Sequence, residues 1–146
     1  MDEKILVYGP LTSDIIASLL DMLSQTKDLG GHSLFLGRVR ADVKDHRRVK
    51  AIEYSAYEEM VKKEVYAIQN EILAGFNDVK SVVILHSTGI VMAGEASLLV
   101  IVSGGHRQQA ITACSMTVEL IKEKLPVWKK EIFEDDTREW VRNDLA

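Results

Sequence analysis

Lys80–His86, KSVVILH, and Ala96–Ser103, ASLLVIVS, are apolar at successive positions rather than at alternate ones. A strand that faces water on one side alternates, so these two segments predict strands covered on both faces, at the centre of the molecule. Upstream, Val61, Val65, Ile68, Ile72 and Phe76 recur at three and four and predict a helix, with Gly75 placed to cap its end. Downstream, residues 108–124 carry Ala110, Ile111, Cys114, Thr117, Val118 and Ile121 on one stripe before Pro126 stops the helix. Val127–Phe133 then alternates as a strand, with Val127, Lys129, Glu131 and Phe133 on one face. Towards the N-terminus, Ala51–Tyr57 and His32–Val39 read as strands expected to pair antiparallel across a basic loop. Before them, Ile15, Ile16, Leu19, Leu20 and Leu23 mark a helix capped by Thr12 or Ser13, preceded by a short strand at Lys4–Tyr8. The order is strand, helix, two strands, helix, two strands, helix, strand: an α+β chain read as a single domain over 1–146.

Composition narrows the class. With 146 residues, 47% hydrophobic and 27% charged, the chain resembles an ordinary globular domain that buries roughly two thirds of its unfolded surface. The lone Cys114 excludes an internal disulfide and is expected in the core; the N-terminus lacks a signal-peptide pattern, so a cytoplasmic location is expected. No apolar stretch approaches the ~20 residues of a membrane helix, and a net charge of −4 argues against a nucleic-acid binder. His32, His46 and His86 are too scattered to suggest a metal triad, and no nucleophile-elbow, phosphate-loop or dinucleotide glycine pattern occurs, so no metal or cofactor is expected. Met60, Met92 and Met116 read as core fillers, and Trp128 as core in preference to a pocket wall.

Charge is unevenly spread. Residues 38–50, RVRADVKDHRRVK, hold six basic residues and two acids, and Lys122, Lys124, Lys129 and Lys130 surround Pro126. Two cationic segments on an acidic chain suit an anionic ligand, although a solvated loop and a solvated helix end look the same in sequence. Gly104-Gly105-His106-Arg107 lies where a buried strand feeds a helix, a natural anion site, or simply a glycine turn. IKEKLPVWKKE, residues 121–131, places Lys122 on the last helical turns and Lys129 on the next strand in a fixed arrangement. An amine near other cations has a lowered pKa, although helix-end lysines complementing the dipole and a lysine on an exposed strand read the same way.

Taken together, FLGRVR (35–40), YSAYEEM (54–60), HSTG (86–89), GEAS (94–97), GGHR (104–107) and IKEKLPVWKKE resemble the large, catalytic subunit family of molybdopterin synthase, over Gly30 to Arg142. The resemblance implies an α/β hammerhead-like mixed sheet with packed helices. It also implies a sulfurtransferase of molybdenum cofactor biosynthesis, converting cyclic pyranopterin monophosphate (precursor Z) to molybdopterin. The sulfur donor would be the C-terminal Gly-Gly thiocarboxylate of a small ubiquitin-like subunit, and the assembly a homodimer of this chain within a heterotetramer. By the same resemblance Arg38, Val39, Arg40, His106 and Arg107 match substrate-binding positions, Lys122 the catalytic lysine, and Lys129, Lys130 and Glu131 the segment near the tail, with Lys129 a second catalytic candidate. Gly105 stands where the family commonly has alanine, Ser55 where glutamate is frequent, and residues 41–48 lack a glycine often found there. Arg107 and Lys122 are 15 residues apart, about 22 Å along one helix. Either the helix bends or, as the resemblance implies, each pocket takes His106 and Arg107 from one chain and Lys122 from the other; the shared pocket is the favoured expectation. The rival expectation is a noncatalytic module that binds a ubiquitin-like tail or an anionic metabolite.

Overall fold

The two apolar segments do form the centre. The structure, a computed structural model, describes residues 4–141; the chain ends, including Arg142 at the limit of the resemblance, lie outside the described residues. In chain order the elements are β1 (Leu6–Tyr8), α1 (Ser13–Leu23), β2 (Gly31–Arg38), β3 (Val43–Lys44), β4 (Arg47–Ala56), α2 (Glu58–Gly75), β5 (Val79–Met92), β6 (Ala96–Gly104), α3 (Arg107–Lys124), β7 (Val127–Phe133) and β8 (Arg138–Trp140). Every residue of β6 is buried. On one face Val82, Ile84, Val100 and Val102 meet α2 through Val61, Val65, Ile68 and Ile72, and α3 through Ala113, Cys114, Val118 and Ile121. On the other face Leu85, Leu99 and Ile101 meet Leu23 and the half-buried Ile15, Ile16, Leu19 and Leu20 of α1. Helices on both faces explain why these strands carry no polar alternation.

The sheet runs β2-β6-β5-β4-β7-β8, with β1 beside β5 and β3 beside β4. β5 does two jobs along its length. Val79–His86 pairs antiparallel with β6, His86–Thr88 takes β1 in parallel, and Gly89–Met92 pairs with Tyr54–Ala51 of β4. This is an α+β fold whose two sheet regions share one strand.

Several expectations are corrected. β2 does not pair with β4: it pairs antiparallel with β6, because a strand buried on both faces takes a neighbour on each edge. The basic segment is not a plain loop but a β3–β4 hairpin, turned by Asp45 (φ 50) and His46 (φ 64) without any glycine. That left-handed pair is the geometry of a two-residue hairpin turn, which usually advertises itself with Asn-Gly or Asp-Gly. β8 was not foreseen; at three residues it has no period to read. Gly75 ends α2 as its last helical residue, and Phe76 is the cap. Met60, Met92 and Met116 are exposed, and so are Ile111 and Trp128. On α3 the buried line is Ala110, Ala113, Cys114, Thr117, Val118 and Ile121, so Ile111 lies one position off the covered stripe and Met116 away from it.

Candidate functional site

At Lys124 helix α3 ends because Pro126 cannot continue it; Leu125 donates its N–H to the Ile121 carbonyl at 2.9 Å, and the chain turns back as β7. The turn brings Lys129 within electrostatic reach of Lys122, as the sequence suggested. Burial holds the Lys129 ammonium below its usual pKa; the Lys122 charge pushes the same way, and Glu131 opposes both. Neither lysine's side-chain amine makes a hydrogen bond or ion pair with another described residue. Beneath Lys129 lies neutral ground. Its register partner Tyr54 donates its hydroxyl to Ser97 Oγ at 2.9 Å and meets the His86 ring edge-on, with centroids 5.0 Å apart. His86 Nδ1 lies 2.8 Å from the Ser87 carbonyl, which can only accept, so Nδ1 carries the proton. Burial lowers the His86 pKa to about 4; the Ser87 hydrogen bond works against that shift and the Lys129 charge with it.

Glu131 is already engaged. Lys44 Nζ donates to it at 2.7 Å, and the carboxylate is buried. Arg47 likewise donates to Glu139 at 2.8 Å and stacks 4.0 Å over Phe133, while Lys50 pairs with Asp136. The basic run of 38–50 is thus largely matched by acids of β7, β8 and the turn between them, and most of it clamps the hairpin down. The expectation that the whole run attracts an anion gives way to two residues. Arg38 donates from Nε to the Gly94 carbonyl at 2.8 Å, and Arg40 faces Asp42 at 3.2 Å with most of its side chain in solvent. Between them Val39 points into the core, its N–H donating to Glu95 and its carbonyl accepting from Gly94, so it anchors the two arginines. Lys130 Nζ sits 4.4 Å from the Trp140 ring centre, on the opposite sheet face from Lys129. There Tyr57, Trp128 and Trp140 line an open groove of about 480 Å³, which makes Trp128 a wall and not core.

His106 and Arg107 begin α3 at the far end. Gly31 of β2 faces Gly104 while Arg38 faces Ala96, so seven residues of strand, about 23 Å, separate the arginine corner from the GGHR turn. Arg38, Arg40, Lys122 and Lys129 lie at one end of the chain; His106 and Arg107 lie at the other. At that second end the His106 N–H does not wait for an anion: it donates to Asp78 Oδ2 at 2.8 Å, and the same oxygen is 3.1 Å from His106 Nδ1. Arg107 is exposed and pairs with no other described residue.

A family model described as MoaE protein matches residues 11–124. The chain belongs to the MoaE protein family. It is 40% identical over 116 residues to the molybdopterin synthase catalytic subunit of Dictyostelium discoideum, covering 78% of this chain and 73% of that one. Against the same-named protein of Drosophila willistoni it is 36% identical over 144 residues, 98% of this chain, but spans only 37% of the relative's length. Among solved structures, molybdopterin synthase from Staphylococcus aureus superposes with a TM-score of 0.83 at 28% identity, covering 97% of this chain and 98% of the other.

Within this MoaE chain, Asp78, Tyr54 and His86 were not singled out as site residues by sequence. Asp78 is 28 residues from His106 and sits in a polar turn, so no local pattern points to it. Gly105 also gains a reason: a methyl there would stand 2.6 Å from Asp78 Oδ1.

Proposed function

We propose that this chain is the catalytic subunit of a molybdopterin synthase, which moves sulfur from a partner's C-terminal Gly-Gly thiocarboxylate onto cyclic pyranopterin monophosphate to give molybdopterin. The observation that carries the reading, beside family membership, is the Lys122–Lys129 pair across the Pro126 turn: two cations within electrostatic reach, Lys129 half-buried and held below its usual pKa mainly by that burial, and neither side chain engaged by another described residue. A lysine at the reacting centre can give and recover a proton or stabilise the charge that develops as sulfur attacks. Lys122 is the proton-transfer group and Lys129 positions the tail. Arg38 and Arg40 hold the substrate from the same end, with Lys130 and Glu131 shaping the strand beneath. Each transfer breaks the tail's acyl carbon–sulfur bond, and water supplies the oxygen that leaves the tail as an ordinary carboxylate.

His106 and Arg107 complete the pocket from a second copy. Helix α3 is continuous from Arg107 to Lys124, which sets Arg107 and Lys122 about 22 Å apart along it. A groove of about 300 Å³ runs between β2 and the middle of α3, with exposed Leu34 and Ile111 on its rim, and β2 ends the sheet. A twofold axis there sets one copy's Arg107 towards the other's Lys122. The working assembly is then a dimer of this chain with one small ubiquitin-like subunit at each end. No helix among the described residues is long and apolar enough to cross a membrane, consistent with a cytoplasmic enzyme. The test is incubation with thiocarboxylated partner and cyclic pyranopterin monophosphate. Molybdopterin is the expected product; a complex that forms without product would make the chain a binding module instead.

A further inference from the structure

The GGHR turn is built around one carboxylate. Asp78, in the turn between α2 and β5, accepts from the His106 N–H at 2.8 Å and lies 3.1 Å from His106 Nδ1, both at Oδ2. Its carbonyl accepts from the Gly105 N–H at 3.1 Å. The first turn of α3 grips the same loop: Gln109 Oε1 accepts from the Asp78 N–H at 2.8 Å, and Gln109 Nε2 donates to Asn77 at 2.9 Å. Both glycines make room for this arrangement, since a Cβ at Gly104 would lie 2.8 Å from the Asp78 carbonyl oxygen and one at Gly105 2.6 Å from Oδ1. The His106 ring itself is 87% exposed, so nothing but Asp78 holds it among the described residues.

We propose that Asp78 is a positioning residue: its carboxylate fixes His106 in one orientation with the proton on Nδ1, so that the edge offered to a ligand is Nε2, beside Arg107. A carboxylate accepts and cannot donate, so a neutral ring in this contact keeps its hydrogen on Nδ1 and leaves a bare lone pair on Nε2. The geometry is that of a histidine oriented by a second group behind it. Desolvation pushes the Asp78 carboxyl up, but the hydrogen bonds from the His106 ring and backbone, with the charges of His106 and Lys80, hold it below the usual range, so it stays ionised. Asp78 also occupies the His106 N–H, one of the donors at the start of α3 that would otherwise serve an anion.

The consequence for catalysis rests on the reading of His106 as a substrate ligand; the tautomer does not. The experiment is nitrogen-15 NMR of the histidine rings at a pH where they are neutral, with the His106 signal assigned by loss in His106→Gln. The full chain is expected to show His106 with hydrogen on Nδ1. Asp78→Ala is expected to move it towards the Nε2–H form that a free imidazole prefers, whereas Asp78→Asn, whose amide oxygen can still accept, retains Nδ1–H. Gly105→Ala should copy Asp78→Ala without touching either partner, because its methyl displaces the carboxylate, and the double variant should be no worse than either single one. A wild-type ring with hydrogen on Nε2, or a tautomer unmoved by both Asp78→Ala and Gly105→Ala, would overturn the proposal. In the synthase assay Asp78→Ala should raise KM for the pyranopterin roughly tenfold, with kcat changed less. A moved tautomer with unchanged KM would uphold the Asp78–His106 pair and overturn the assignment of His106 to substrate.

Discussion

At the residue scale, the roles proposed for Lys122 and Lys129 should be separable by substitution. Lys122→Ala is expected to remove nearly all molybdopterin formation, by roughly a hundredfold or more, with folding and partner binding intact. Lys122→Arg should fail as well, since a guanidinium keeps its proton; turnover near wild type in either variant would refute the proton-transfer role. His86 makes a second prediction, on stability. Its pKa falls from 6.5 to about 4 on folding, so between those values the unfolded chain binds more protons, and stability is full above pH 6.5 and is lost as pH drops towards 4. Across that window the loss attributable to His86 is about 3 kcal/mol. Urea titrations at pH 7 and pH 4.5 should therefore show a smaller drop for His86→Gln than for wild type. The helix stop and alternating strand around Pro126 were legible from spacing, whereas the roles of Lys122 and Lys129 came from the family resemblance. Asp78 could not, since its importance comes from a loop packed against a turn far along the chain.

Among the elements, the β3–β4 hairpin shows best how charge in sequence differs from charge in space. The run of 38–50 looks like a cationic surface until β7 and β8 set Glu131 and Glu139 against it, and that adjacency comes from sheet order, which local pattern does not encode. Glu131 is buried with its partner Lys44, so Glu131→Gln should cost about 1–3 kcal/mol in chemical denaturation, and Lys44→Met about the same. The turn carries strain of a different kind. His46 has φ 64 without being glycine, and His46→Gly should stabilise the chain by roughly 0.5–1 kcal/mol, visible as a higher melting temperature with unchanged activity. The helices were legible nearly to the residue because their apolar period is long. The strand partners were not: alternation says which face is buried and nothing about which strand lies alongside, which is how β2 and β4 were paired in error.

For the whole molecule the decisive question is whether one chain suffices. With Arg107 and Lys122 at opposite ends of an unbroken helix, a mixture of Arg107→Ala and Lys122→Ala chains should recover activity once subunits exchange. Each mixed dimer would then have one pocket with both lesions and one with neither, giving roughly half the wild-type rate. Exchange confirmed by native mass spectrometry with no recovery would place the site within one chain. The path of β5 bears on how such a pocket survives thermal motion. Because its first half is laddered to β6, its middle to β1 and its second half to β4, neither sheet region can fray without unzipping the strand they share. Amide hydrogen exchange along residues 80–92 should therefore report one common opening energy near that of global unfolding, without a weaker subset on the β4 side. The lysine end and the GGHR end would open in the same rare event, and a protease would meet the site intact or not at all.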